Sequence, residues 1–71
     1  MKSLWSFVKE KRKEAGLSQQ EFAERAGVAL TVVRKIEQNK GNLNLEKVNQ
    51  VLKMFGHELA PVEIKKLAQD I

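Results

Sequence analysis

Apolar residues recur at every third or fourth position in several short stretches of the chain, and a glycine or a polar break closes each stretch. This spacing is typical of amphipathic helices, which repeat about every 3.6 residues. The connections between the stretches are short, so helix packed on helix is the only layer arrangement that the pattern supports. The sequence therefore predicts an all-α fold, a compact bundle of about four or five helices.

Two short helices joined by a tight turn are predicted over residues 17–40. Ser18 is a suitable N-cap and Glu21 can complete a capping box, so the first helix should begin at Gln19. Its apolar stripe consists of Phe22, Ala23 and Ala26. Gly27 should end it, because glycine adopts the left-handed backbone without steric cost.

The second of these helices is predicted over residues 29–38, with Val33 and Ile36 pointing inward beside Val28. Ala29 is a poor helix start, since it lacks the side-chain oxygen of a cap, at a cost of about 1 kcal/mol. The side chains predicted to stay outside are Leu30, Thr31, Arg34 and Lys35. The two helices and their turn form a helix-turn-helix.

Further helices are predicted on either side. Ser3 can cap one that runs to about residue 15 and stops at Gly16, with Leu4, Phe7 or Val8, and Ala15 on its inner side. Asn44 can cap another that stops at Gly56, with an inner stripe of Leu45, Val48, Val51, Leu52 and Phe55. Gly41 should supply a positive backbone angle in the polar break before it. Trp5 is expected at the edge of the core, or else in a dimer contact.

The run LSQQEFAERAGVALTVVRKIEQNK, residues 17–40, resembles the helix-turn-helix of lambdoid-phage repressors and Cro, the XRE family, and the resemblance covers residues 4–55. It implies a lambda-repressor-like bundle in which the second helix enters the DNA major groove. The ending NKGNLNLEKVNQVLKMFGHELAPVEI is most similar to HipB-like antitoxins, which repress their own toxin–antitoxin operon as dimers. The resemblance therefore implies a dimeric repressor that binds a palindromic operator, with a cognate toxin as a further partner.

Residue roles follow from matching this sequence to phage repressors. The base-reading positions are Leu30, Thr31, Arg34 and Lys35. Leucine makes only apolar contact, as with a thymine methyl, whereas arginine grips guanine O6 and N7. Lysine does this less specifically or takes a phosphate. The positions expected to contact phosphate are Gln19, Gln38, Asn39, Lys40 and Asn42, although both asparagines also suit turns. The family's structural ion pair corresponds to Arg12 and Glu37, which would otherwise be separate surface charges.

The formal net charge of +4 and pI near 9.6 favour a polyanionic partner, although basic charge also keeps a small protein soluble. The chain has no cysteine and one histidine, and it lacks a Gly-rich phosphate loop. These features predict no enzyme, no cofactor and no metal site. Lacking an apolar run for a signal peptide or membrane span, the sequence is expected to be cytoplasmic.

The sequence predicts a DNA-binding domain over residues 1–56 and a dimerisation or partner-binding tail over residues 57–71. The tail is either a terminal helix or an extended piece that pairs across a dimer and precedes a short helix. Its apolar residues, the predicted dimer interface, are Leu59, Val62, Ile64, Leu67 and Ile71. Alternative functions are a phage-type repressor, a restriction–modification controller, or a protein-interaction module that uses the helix-turn-helix only as scaffold.

Overall fold

The computed structural model describes residues 2–65, which form four α-helices. They are α1 (Leu4–Glu14), α2 (Gln19–Ala26), α3 (Leu30–Glu37) and α4 (Leu45–Lys53). Helices α2 and α3 form the helix-turn-helix, with α1 and α4 packed against it. No strand occurs within residues 2–65, and the predicted all-α, lambda-repressor-like bundle is confirmed. None of these helices is long and apolar enough to cross a membrane.

Side-chain caps start three of the four helices where the sequence predicts them. Ser3 Oγ caps α1 and Asn44 Oδ1 caps α4, each accepting the backbone N–H three residues on. Ser18 and Glu21 form a complete capping box, in which each side chain accepts the backbone N–H of the other residue, at 3.1 Å and 2.9 Å. Helix α3 follows Ala29 without a side-chain cap.

Residues with positive φ follow each of the four helices, and in the α3–α4 connection they are not the residue predicted. Gly16, Gly27 and Gly56 have φ near +70° after α1, α2 and α4. The positive angles of the α3–α4 connection belong to Asn39 and Asn42, and Gly41 is not among the positive-φ residues. Asparagine tolerates this conformation because its short polar side chain bonds locally, so the prediction for Gly41 was wrong.

The core lies where the four helices meet. Its fully buried members are Val8, Phe22, Val33, Ile36, Val48 and Val51. Two side chains predicted to be inside are not, since Ala15 is exposed and Leu45 is 69% exposed. Trp5, expected at the edge of the core or in a dimer contact, is 39% exposed. Ala15 is the C-cap of α1 and Leu45 is the first residue of α4, so both lie at helix ends, where a side chain has fewer neighbours than in the middle of a packed helix.

The segment after Gly56 lies against the bundle over its first residues. Residues 57–63 are neither helix nor strand, and residues 64–65 are helical. Leu59, one of the predicted interface residues, instead packs on the core of its own bundle, and its N–H donates to Asn49 Oδ1 at 2.7 Å. Val62 and Ile64 are exposed, at 45% and 83%. The remaining predicted interface residues, Leu67 and Ile71, lie outside the described residues.

Candidate nucleic-acid interface

Helix α3 has one buried face and one open face. Val33 and Ile36 are buried, which fixes the rotation of the helix about its axis. On the opposite side Thr31, Arg34 and Lys35 are exposed. Within residues 2–65 neither Arg34 nor Lys35 takes part in an ion pair, so both cations are available to an anionic partner.

Leu30 is less available than its predicted position outside the helix implies. It is partly buried and packs against the core, as does Val32. Leu30 is the first residue of α3, next to the tight turn that brings the helix back onto the bundle. The expectation that it lies wholly outside is therefore wrong, and only the uncovered part of the side chain can contact a base.

A hydrogen-bonded network holds the C-terminal end of α3. Arg12 of α1 donates from Nε to Glu37 Oε2 at 2.7 Å and from Nη2 to Glu37 Oε1 at 3.0 Å. Gln19 Nε2 donates to the same Oε1 at 3.2 Å, and Arg12 Nη1 donates to the carbonyl oxygen of Leu17 at 2.9 Å. The structure thus brings the predicted ion-pair partners together.

This ion pair is largely removed from water. The Arg12 and Glu37 side chains are 13% and 4% exposed. The hydrogen bonds to Glu37 raise the pKa of the Arg12 guanidinium above its ordinary value, because they favour its charged form. The pair joins α1 to α3, and Gln19 adds α2. The network therefore sets how the end of α3 sits on the rest of the bundle.

The residues predicted to contact phosphate lie close to this network, at the start of α2 and after the end of α3. Gln38, Asn39, Lys40 and Asn42 follow α3 and are all exposed. The positive φ of both asparagines gives them a structural part in the turn as well. Gln19 opens α2 but is only partly exposed, because one of its amide hydrogens goes to Glu37. Its other hydrogen and the free N–H groups of the helix start can still face an anion.

Sequence inspection missed one residue that acts on the helix-turn-helix. Gln50 of α4 donates from Nε2 to the carbonyl oxygens of Ala26 and Gly27, both at 3.0 Å. These carbonyls lie at the end of α2, 24 and 23 residues away in sequence. A glutamine on a helix carries no local signal for such a contact, so only the packing of α4 reveals it.

Within residues 2–65, no three carboxylate or imidazole groups lie close enough together to hold a metal ion. The chemistry on offer at the open face of α3 is that of cations, a hydroxyl and amides presented on a rigid helix. The sequence model of the family described as Helix-turn-helix matches residues 8–61, which include α2, α3, α4 and most of α1. No curated protein matches the chain in sequence.

Proposed function

The chain belongs to the XRE-type helix-turn-helix family of DNA-binding transcriptional regulators, and we propose that it recognises its DNA sequence through the open face of α3. The observation that carries this proposal is the pair of cations Arg34 and Lys35 beside Thr31, all exposed on a helix whose other face is buried. An α-helix fits the major groove, where each base pair presents its own pattern of donors and acceptors.

The residues of this face have different tasks in the proposal. Arg34 grips guanine O6 and N7, because a guanidinium presents two parallel N–H donors that match these acceptors. Thr31 donates or accepts one hydrogen bond at a base edge. Lys35 contacts either a guanine or a phosphate. The uncovered part of Leu30 meets a thymine methyl at the start of the helix.

Phosphate contacts on either side of α3 hold the domain in register without selecting a sequence. Gln19 provides one at the start of α2, where free N–H groups and the helix dipole favour an anion. The others come from the exposed residues after α3, namely Gln38, Asn39, Lys40 and Asn42. The Arg12–Glu37 pair supports both groups, since it joins the end of α3 to the start of α2 through Gln19.

We further propose that the protein acts as a two-fold dimer on a palindromic operator and represses transcription. A domain of this size buries little surface on DNA, whereas a dimer places two recognition helices about 34 Å apart, one turn of DNA. The exposed Val62 and Ile64 support an interface in the tail, with Leu67 and Ile71 as its further proposed members. The division into a DNA-binding domain over 1–56 and a tail over 57–71 is part of this proposal, with Leu59 joining the two.

The finer assignment that we propose is a HipB-like antitoxin with a cognate toxin as partner. It rests on the resemblance of residues 39–64 to such proteins. A kinase-like toxin gene beside this one would support it, whereas a methyltransferase gene would favour a restriction–modification controller. A pure protein-interaction module, which would use the helix-turn-helix only as scaffold, is less well supported, because it gives no task to the exposed Thr31, Arg34 and Lys35 of α3.

The experiment that tests base recognition compares Arg34→Ala with Lys40→Ala on a duplex selected from random sequences and on a random duplex. Arg34→Ala should weaken binding to the selected duplex by about 1–3 kcal/mol and relax the preference at one base pair. Lys40→Ala should weaken both duplexes alike and reduce the salt dependence. Lys53→Ala, which removes an exposed cation of α4, is the control. Equal losses on both duplexes for Arg34→Ala would exclude its base-reading role.

A further inference from the structure

A side chain of α4 holds the turn between α2 and α3 from outside. The amide nitrogen of Gln50 carries two hydrogens, and the carbonyl oxygens of Ala26 and Gly27 accept one each, at 3.0 Å. The last carbonyls of an α-helix have no partner within the helix. Gln50 therefore satisfies two backbone acceptors at the one place where the chain reverses into α3.

The fit around this amide is close. Gly27 has φ of +74°, and a Cβ added there would lie 3.0 Å from Gln50 Nε2. Glycine at this position thus serves both the left-handed turn and the approach of the Gln50 side chain. The contact belongs to a tightly packed turn, in which Val28 N–H also donates back to the carbonyl of Ala23 at 3.0 Å.

The start of α3 needs such support because it lacks its own. Ala29 precedes the helix and makes no side-chain cap, whereas Ser3, Ser18 and Asn44 cap the other three helices. At its far end α3 is held by the Arg12–Glu37 pair. Gln50 provides the matching support next to the N-terminal end, the part of the helix that carries Leu30 and Thr31.

We propose that Gln50 is a positioning residue for DNA sequence recognition: it fixes the α2–α3 turn and thereby the angle at which α3 enters the major groove. This inference rests on the proposed function of α3. Hydrogen bonds to base edges depend steeply on distance and angle, whereas phosphate attraction depends mainly on charge. A looser turn therefore reduces sequence preference more than it reduces total affinity.

The test uses the full chain with Gln50→Met, which keeps the length of the side chain and removes both donors. The matched control is Asn44→Ala, which removes the cap of the same helix without touching the turn. Both variants should lower the melting temperature, and binding is measured well below it. Gln50→Met should reduce the preference for the selected duplex over a random one by about fivefold to tenfold, the scale of one weakened base contact. Asn44→Ala should leave the preference unchanged.

Amide hydrogen exchange without DNA gives a second, independent readout. The N–H groups of Gly27 and Val28 should exchange faster in Gln50→Met than in the wild type, even after comparison with the other amides of the bundle. In Asn44→Ala, the exchange of these two N–H groups relative to the other amides should be the same as in the wild type. An unchanged preference in Gln50→Met, an equal loss in both variants, or unchanged exchange at the turn would each overturn the proposal. If the wild type prefers no duplex, the proposed function itself fails, and the exchange rates still report whether Gln50 holds the turn.

Discussion

The Glu37 carboxylate accepts three hydrogen bonds, two from Arg12 and one from Gln19. Because the side chain is almost fully buried, each of these donors matters more than it would at the surface. A buried ion pair fixes geometry more reliably than it adds net stability, but losing one partner leaves a charge buried without compensation. The contribution of the pair can therefore be measured as the loss of unfolding free energy when either Arg12 or Glu37 is replaced.

We expect Glu37→Ala to lower the free energy of unfolding by about 2–4 kcal/mol, since it leaves the largely buried Arg12 guanidinium without its carboxylate partner. Arg12→Ala should cost a similar amount, and the double variant should fall short of the sum by about 1–2 kcal/mol. Urea unfolding of the four proteins measures this coupling. The exposed pair Lys11 and Glu14, 3.4 Å apart, is the control and should couple by less than about 0.5 kcal/mol. Additive losses for Arg12 and Glu37 would show that their side chains act independently.

At the scale of the helices, α2 and α3 differ in how they begin. Helix α2 opens with a full capping box, in which Glu21 Oε1 accepts the N–H of Ser18. The hydrogen bonds from Ser18, chiefly from its backbone, hold the pKa of Glu21 below its ordinary value of 4.5. Helix α3 begins at an alanine cap and depends on tertiary contacts. Because the ionised Glu21 completes the capping box of α2, lowering the pH should destabilise the start of this helix.

Because the pKa of Glu21 is lower in the folded than in the unfolded state, its ionised form stabilises the fold. This contribution is complete above the unfolded value near 4.5 and is lost as the pH falls through the lower folded value. The melting temperature of the wild type should therefore exceed that of Glu21→Gln at pH 7, and the difference should shrink toward pH 3. Glu24→Gln, on the same helix but outside the capping box, is the control. A constant difference across this range would contradict the assignment.

At the scale of the whole molecule, the segment after α4 has a docked part and an open part. Leu59 packs on the core and is tied to Asn49 through its N–H, so it belongs to the bundle. Val62 and Ile64 are exposed, and within residues 2–65 they are not among the apolar residues that pack on the core. Substitutions at the open positions can therefore test the proposed dimer without removing a residue on which the fold depends.

Val62→Ser with Ile64→Ser should weaken self-association by about tenfold or more, since about 1–2 kcal/mol of apolar burial would be lost in the interface. Its melting temperature at low protein concentration should stay near that of the wild type. Leu59→Ser is the contrasting variant and should lower the melting temperature. Analytical ultracentrifugation and binding to a palindromic duplex provide the measurements. If the double variant sediments as the wild type does, the interface lies elsewhere, with the exposed Trp5 of α1 as the next candidate.

Local chemistry alone was enough to predict the helices, their caps and the helix-turn-helix, because the interactions involved span only a few residues. Ser18 forms a capping box with Glu21, and Gly27 ends α2 by adopting a left-handed backbone conformation. Local chemistry was also enough to predict which side of α3 is open, since Val33 and Ile36 mark the buried side, whereas the base-reading role of the open side came from the family resemblance. The pairing of Arg12 with Glu37 came from the family resemblance, not from spacing. Each of these inferences needs either a short stretch of chain or a known pattern.

The tertiary structure alone decided the contacts between residues that no periodicity relates. The Gln50 amide meets the carbonyls of Ala26 and Gly27 because α4 packs beside that turn. In the same way, Asn49 binds the N–H of Leu59, and Leu30 is partly covered although its position on the helix suggests an open side chain. A polar side chain on a helix faces many possible partners, and which one it meets depends on how the helices pack around a shared core.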